Sequence, residues 1–362
     1  MRHSGSDGFA ARPSQGIADI ATLTRGNPIN PPNRMQSDLT RRYRIAAAAM
    51  TLIVQSIACA RPSPEEGTVR PKGESSAEPP IATQIAWLGD LHQPEGVRYD
   101  ADQDVFFISN MVGFGSVKDA NGYIVEVKAS DLSIGKVFAE NGRAGVTLDA
   151  PKGMTINGDT LWICDIDKMR AINRRTGLYL GTLDLAPYGA LLLNDVTMGG
   201  DGAMYITDTG ILMTEKGVIY KGADKIFRVA GGNVSVIASG AGLMRPNGIT
   251  WDKETNHLVV VTFDPFHSQM YTLGPNGERR LLGKGNGKFD GVEPLGGGKF
   301  MVASWNDSSV RLLGNGENRR IANNVIAPAD IGFDTRRNRL AIPIGPLNQM
   351  QLWQLPAAVG SK

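Results

Sequence analysis

Pro246-Asn247-Gly248-Ile249 decides the fold, because five other stretches repeat it in altered form: Pro94-Glu95-Gly96-Val97, Pro151-Lys152-Gly153-Met154, Leu193-Asn194-Asp195-Val196, Phe289-Asp290-Gly291-Val292 and Pro328-Ala329-Asp330-Ile331. Counted on the second residue of each, in chain order, the spacings are 57, 42, 53, 43 and 39 residues. That period belongs to a β-propeller blade and is too long for a leucine-rich or ankyrin unit. Each stretch opens an apolar or period-2 run, a turn follows, and a second run comes after it, as in residues 96–100 then 105–109. The chain therefore reads as all-β, a six-bladed β-propeller over residues 81–357. The sixth repeat has only three strands, the last over residues 350–355, while the strand-like residues 83–88 have no partner in the linear order. The expectation is that 83–88 closes the ring as the outer strand of blade six and covers an open sheet edge.

Composition agrees. Of 362 residues, 41% are hydrophobic and 20% charged, with a net charge of +2, which describes one globular domain plus extras and gives no field to attract nucleic acid. Residues 1–60 read as a leader. Arg41-Arg42-Tyr43-Arg44 supplies a basic region and residues 45–54 an apolar one too short to span a bilayer, with Met35 just ahead as the expected start. Ala58-Cys59-Ala60 fits a signal-peptide cleavage site. Alternatively, Cys59 followed by the Pro-, Ser- and Glu-rich residues 61–80 fits a lipoprotein cysteine and a disordered tether. Both readings imply export, to the periplasm or to a membrane through a lipid on Cys59. Cys164 is the one other cysteine, so no intrachain disulfide forms in the mature domain; within its apolar run it reads as a small buried residue.

In a propeller the first strand of each blade lines the central channel, so the repeated positions meet at one rim. The second position carries Glu95, Asn194, Asn247 and Asp290, which are hard oxygen donors with two formal negative charges and no His or Cys among them. Such a set favours Ca²⁺, with another divalent cation possible, over Zn²⁺. Each alone is weak, since Asn-Gly and Asp-Gly are common in turns; the shared register is what sends all four to one axis. Gly follows in four of the six, where a Cβ would crowd the channel mouth. Lys152 brings a positive charge that either holds a substrate or runs along its stem to solvent. The long connections 111–122 and 209–222 read as lids or binding loops, or else as plain surface insertions.

These residues, with Asp201-Gly202, Tyr205-Ile206-Thr207-Asp208, Arg245-Pro246-Asn247-Gly248-Ile249-Thr250-Trp251 and Val302-Ala303-Ser304-Trp305-Asn306, resemble the gluconolactonase/regucalcin (senescence marker protein) family of six-bladed propellers. They are more distantly similar to paraoxonases. The resemblance covers roughly residues 82–356. It implies a divalent cation bound by Glu95, Asn247 and Asp290, with Asn194 touching metal or substrate, and hydrolysis of lactones. The cation would act as a Lewis acid, leaving Asp290 as the expected base and Asp208 in reserve. Sugar lactonases of the family often carry Arg two places before the residue matching Asn194. Leu192 stands there, which points to a more apolar substrate unless it is core. His92 and His267 read as structural. The expected function is an exported, calcium-dependent, lactonase-like hydrolase of a small lactone or ester. The alternative is a non-catalytic propeller that binds a ligand or protein and uses its metal structurally.

Overall fold

The computed structural model describes residues 82–357 and 359, except 144, 275 and 276. The expected leader, linker and Cys59 lie outside the described residues. Six four-stranded antiparallel sheets form the blades. Their inner strands are Pro94–Asp100, Pro151–Asn157, Leu193–Met198, Pro246–Asp252, Phe289–Gly296 and Gly332–Asp334, so each signature does open a blade. Blade six starts late because Asp330 instead bridges in parallel to Gly96 of blade one. Ring closure follows the sequence expectation. Thr83–Leu88 pairs antiparallel with Gln349–Gln354, from Thr83 opposite Gln354 to Leu88 opposite Met350. Ala86 and Leu88 then pack on the apolar layer shared by blades six and one, which includes Val97, Phe106 and Met350. Similar layers fill the other spaces between blades; Cys164 is buried with Met169, Leu193 and Phe227 in one of them.

Each of the first five inner strands breaks register in the same place, between the first and fourth residues of its signature: Pro94/Val97, Pro151/Met154, Leu193/Val196, Pro246/Ile249 and Phe289/Val292. A bulge leaves residues outside the ladder and re-aims their side chains. Here it frees the second and third signature residues at the channel mouth. Second-strand hydroxyls hold the bulges: Ser109 Oγ accepts the Gly96 N–H at 2.8 Å, and Thr207 Oγ1 accepts the Asp195 N–H at 3.1 Å. Neighbouring bulges approach so closely that a Cβ on Gly153 would lie 2.4 Å from Asp195 Oδ1, and one on Gly248 would lie 2.3 Å from the Asp290 carbonyl oxygen. This is why Gly follows the rim residue wherever the next blade presses in.

Candidate metal centre at the channel mouth

All six second-position residues, Glu95, Lys152, Asn194, Asn247, Asp290 and Ala329, line a single cleft. Each is buried. Glu95 Oε2, Asn194 Oδ1, Asn247 Oδ1 and Asp290 Oδ1 are enclosed and have no hydrogen-bond partner. An unsatisfied buried acceptor costs about 1–3 kcal/mol, and more when charged. Four such acceptors, on residues of four blades that line one cleft, form a set that a cation would satisfy together. Among the described residues no group of three or more His, Cys, Asp or Glu is placed to hold a metal ion. The donors here are two carboxylates and two amides, a set suited to a hard cation that completes its shell with water.

Electrostatics make the same point. Burial raises the Glu95 carboxyl well above its usual range, the Asp290 charge pushes it further, and Lys152 opposes. Asp290 is pushed up to about 8, mainly by burial; the nearby Trp305 indole pulls it down, and Asp195 adds to the rise. Lys152 does not run to solvent. Its Nζ is buried and donates to the Gly115 carbonyl at 3.0 Å and the Ala150 carbonyl at 2.9 Å. Burial lowers its pKa while Glu95 works the other way.

Gly115 belongs to the first long connection. The second folds into a hairpin, Ile211–Thr214 with Gly217–Tyr220. The two are knit together: the Ser116 N–H donates to the Met213 carbonyl at 3.0 Å, and the Met213 N–H to Ser116 Oγ at 2.9 Å. Together they bring Met213 and Ile211 to the cleft. Met111, Phe263 and Trp305 supply further wall. Each of these three directly follows the second strand of its blade, a repeat position that sequence reasoning did not read although the register could have found it. Half-buried Met213, Phe263 and Trp305 form the lip. The free space is about 50 Å³. At roughly 10–15 Å³ per water this admits a cation with a few waters.

Two residues expected at the site lie elsewhere. Asp208 does not line the cleft; its carboxylate accepts the N–H groups of Leu191 at 2.8 Å, Leu192 at 3.1 Å and Gly210 at 3.0 Å. Asp165 does the same for Asp149 and Ala150, and Asn110 for His92. An acid or amide ending the second strand thus pins the segment that leads into the adjoining inner strand. Leu192 is fully buried and also outside the cleft, so it is core. His92 hydrogen-bonds Tyr123 Oη at 2.7 Å, and neither it nor His267 lines the cleft.

Below the rim lies a layer that the sequence reading passed over. Arg98 donates from Nη1 to Glu293 Oε1 at 2.8 Å and from Nε to the Met154 carbonyl at 2.7 Å. Asp195 accepts the Ile249 N–H at 2.8 Å, while both oxygens of Asp330 lack partners. Burial lifts Asp195 to about 6 and Glu293 to about 7, against the pull of Arg98.

No protein-family model matches the sequence, and no curated protein matches it. Solved structures do resemble it. A gluconolactonase of Xanthomonas campestris superimposes with a TM-score of 0.56 at 18% identity, over 80% of this chain and 99% of that one. A protein provisionally named a gluconolactonase gives 0.54 at 17%, over 76% and 92%. A Bacteroides thetaiotaomicron protein of unknown function gives 0.52 at 10%, over 77% and 73%. Likeness at these identities establishes the fold, a six-bladed propeller. The family resemblance read from the motifs fits the first two.

Proposed function

We propose that this propeller is a divalent-cation-dependent hydrolase of a small lactone or ester, with Glu95, Asn194, Asn247 and Asp290 holding the cation. The observation that carries the reading is the set of four orphaned oxygens from four blades in one cleft. Hard donors and two carboxylates favour calcium. When bound, the cation would polarise the substrate carbonyl and stabilise the oxyanion that forms on attack.

The chain's own groups supply the rest. Asp290 is the candidate base, since it lines the cleft beside the proposed cation position and, kept ionised there by the cation, could take a proton from the attacking water through an oxygen the cation does not hold. Asp208 is engaged by three backbone N–H groups, which leaves Asp290 with that role. Lys152, fixed beneath the first loop, keeps a positive charge beside Glu95 and limits repulsion between the carboxylates. The knitted loops restrict water at the reacting centre. The leader read over residues 1–60 is taken to send this activity out of the cytoplasm, free or tethered through Cys59. Two gluconolactonase-named structures among the neighbours support the chemistry by analogy of fold.

A second reading has its own support. The cleft's free space of about 50 Å³ is small, as befits a cation that clamps blades together in a non-catalytic binding propeller. Hydrolysis of a lactone and ester panel, followed by acid release with calcium and again with chelator, separates the two, with calorimetry of calcium binding alongside. Calcium-dependent turnover that disappears in Asp290→Ala supports the hydrolase. Calcium binding with no turnover on any substrate moves the assignment to the structural cation.

A further inference from the structure

The walls of the cleft narrow the substrate. Its polar side chains are the five rim residues Glu95, Lys152, Asn194, Asn247 and Asp290, together with the indole N–H of Trp305. The four unpartnered oxygens are those proposed to hold the cation, and Lys152 Nζ is taken up by two carbonyls. Everything else that lines the cleft is apolar or glycine, Met111, Ile211, Met213, Phe263 and Pro346 among them. Among the described residues no Ser, Thr, Arg, His or Gln lines the cleft.

That wall is also fixed in place. Met213 is held by its two hydrogen bonds with Ser116, and its sulfur packs close over Gly115, where a Cβ would meet Met213 Sδ at 3.3 Å. Phe263 and Trp305 meet edge to face, their ring centroids 5.1 Å apart.

We infer that the substrate is an alkyl-substituted lactone or ester without hydroxyl groups, its carbonyl taking the place of water at the rim and its hydrocarbon part lying outward along the half-buried lip of Met213, Phe263 and Trp305, because the free space of about 50 Å³ inside holds little beyond the cation. This rests on the hydrolase reading above. A polyhydroxylated ring of the same size would bury its hydroxyls against thioether, methyl and aromatic surface, where they find no partner. Discrimination by an apolar pocket against a single added hydroxyl is about 100-fold at most, and a sugar lactone carries several, so a ratio of at least about 100 is expected.

The experiment uses the full chain with calcium and compares kcat/KM for δ-hexalactone and glucono-δ-lactone, both six-membered rings, in a pH-stat. In parallel, calorimetry measures binding of the matching non-hydrolysable lactams, δ-hexalactam and gluconolactam. The expected result is at least a 100-fold preference for the alkyl compound in both. In Met213→Gln, which puts a hydrogen-bonding amide into the wall at nearly constant volume, that preference falls about tenfold while calcium affinity is unchanged. If neither lactone is hydrolysed but the alkyl lactam binds selectively, the hydrolase reading fails and the inference about the cleft stands. Equal or better handling of the sugar compound overturns the inference, as does failure of both lactams to bind.

Discussion

Replacing Asp290 by Asn should make the cation-free protein more stable at neutral pH, although it removes a side chain proposed to be essential. Without a cation the Asp290 carboxyl sits at about 8, raised from 3.8 by burial. In the unfolded chain it is ionised at pH 7.5. The folded chain must either take up a proton or keep a buried charge, at 1.36 kcal/mol per unit between 3.8 and 7.5, which comes to about 5 kcal/mol. The native state binds the extra proton, so this penalty is absent below about pH 4 and grows as pH rises toward 8. Asn has nearly the same shape and cannot ionise. Asp290→Asn should therefore be more stable than the parent by about 2–5 kcal/mol in chelator at pH 7.5, and about equal to it at pH 4. At about 2 °C per kcal/mol for a domain of this size, the melting temperature should rise by about 4–10 °C.

Calcium works in the opposite direction. A ligand bound only by the folded state adds about 2.7 kcal/mol at a hundredfold excess over its Kd, so the parent gains roughly 5 °C in calcium. The variant, short of one negative charge, should gain little. Thermal melts in chelator and in a calcium series, at pH 4 and pH 7.5, read all of this. The reasoning is refuted if the variant is no more stable than the parent in chelator at pH 7.5, or if millimolar calcium leaves the parent's melting temperature unchanged.

Arg98→Met should destabilise the ring by about 3–5 kcal/mol in urea titrations above pH 7, because it leaves Glu293 buried and unpaired. The loss should shrink at pH 5, where Glu293, raised to about 7, is protonated. Asp208→Asn should cost about 2 kcal/mol of stability through its backbone contacts while calcium affinity by calorimetry stays unchanged. A large loss of calcium affinity there would place Asp208 in the site after all. Removal of residues 1–88 should expose the Gln349–Gln354 edge and drive concentration-dependent self-association in analytical ultracentrifugation, whereas removal of residues 1–81 should leave the monomer-to-oligomer balance as it was.

The parts of this molecule that were legible in its sequence are those fixed by repetition. Any one signature is an ordinary turn. Six in register define blades, rim and the four oxygen donors, because a propeller puts equivalent positions on one axis whatever lies between them. Ring closure by residues 83–88 was legible for a related reason, since an unpaired strand and a three-stranded blade satisfy each other. What escaped depends on contacts between segments far apart in the chain. Lys152 is held under the first loop by the Gly115 carbonyl, and no local pattern around position 152 encodes that partner. Met213 reaches the cleft because its hairpin meets Ser116, a pairing 97 residues apart. Asp208 misled because an acid at the end of a second strand can face either the channel or the backbone N–H groups beside it. Its equivalents Asn110 and Asp165 show that the backbone wins. Register explains the rest. The bulge of blade three frees the third signature residue, Asp195, as well as the second, and in blade six the parallel bridge from Gly96 holds Asp330 outside its own sheet, so the two positions where Gly is missing add a second acidic layer under the first. A repeat seen in sequence thus gives the positions that share an axis; how many residues of each repeat face that axis is decided by strand register, which only pairing across the sheet reveals.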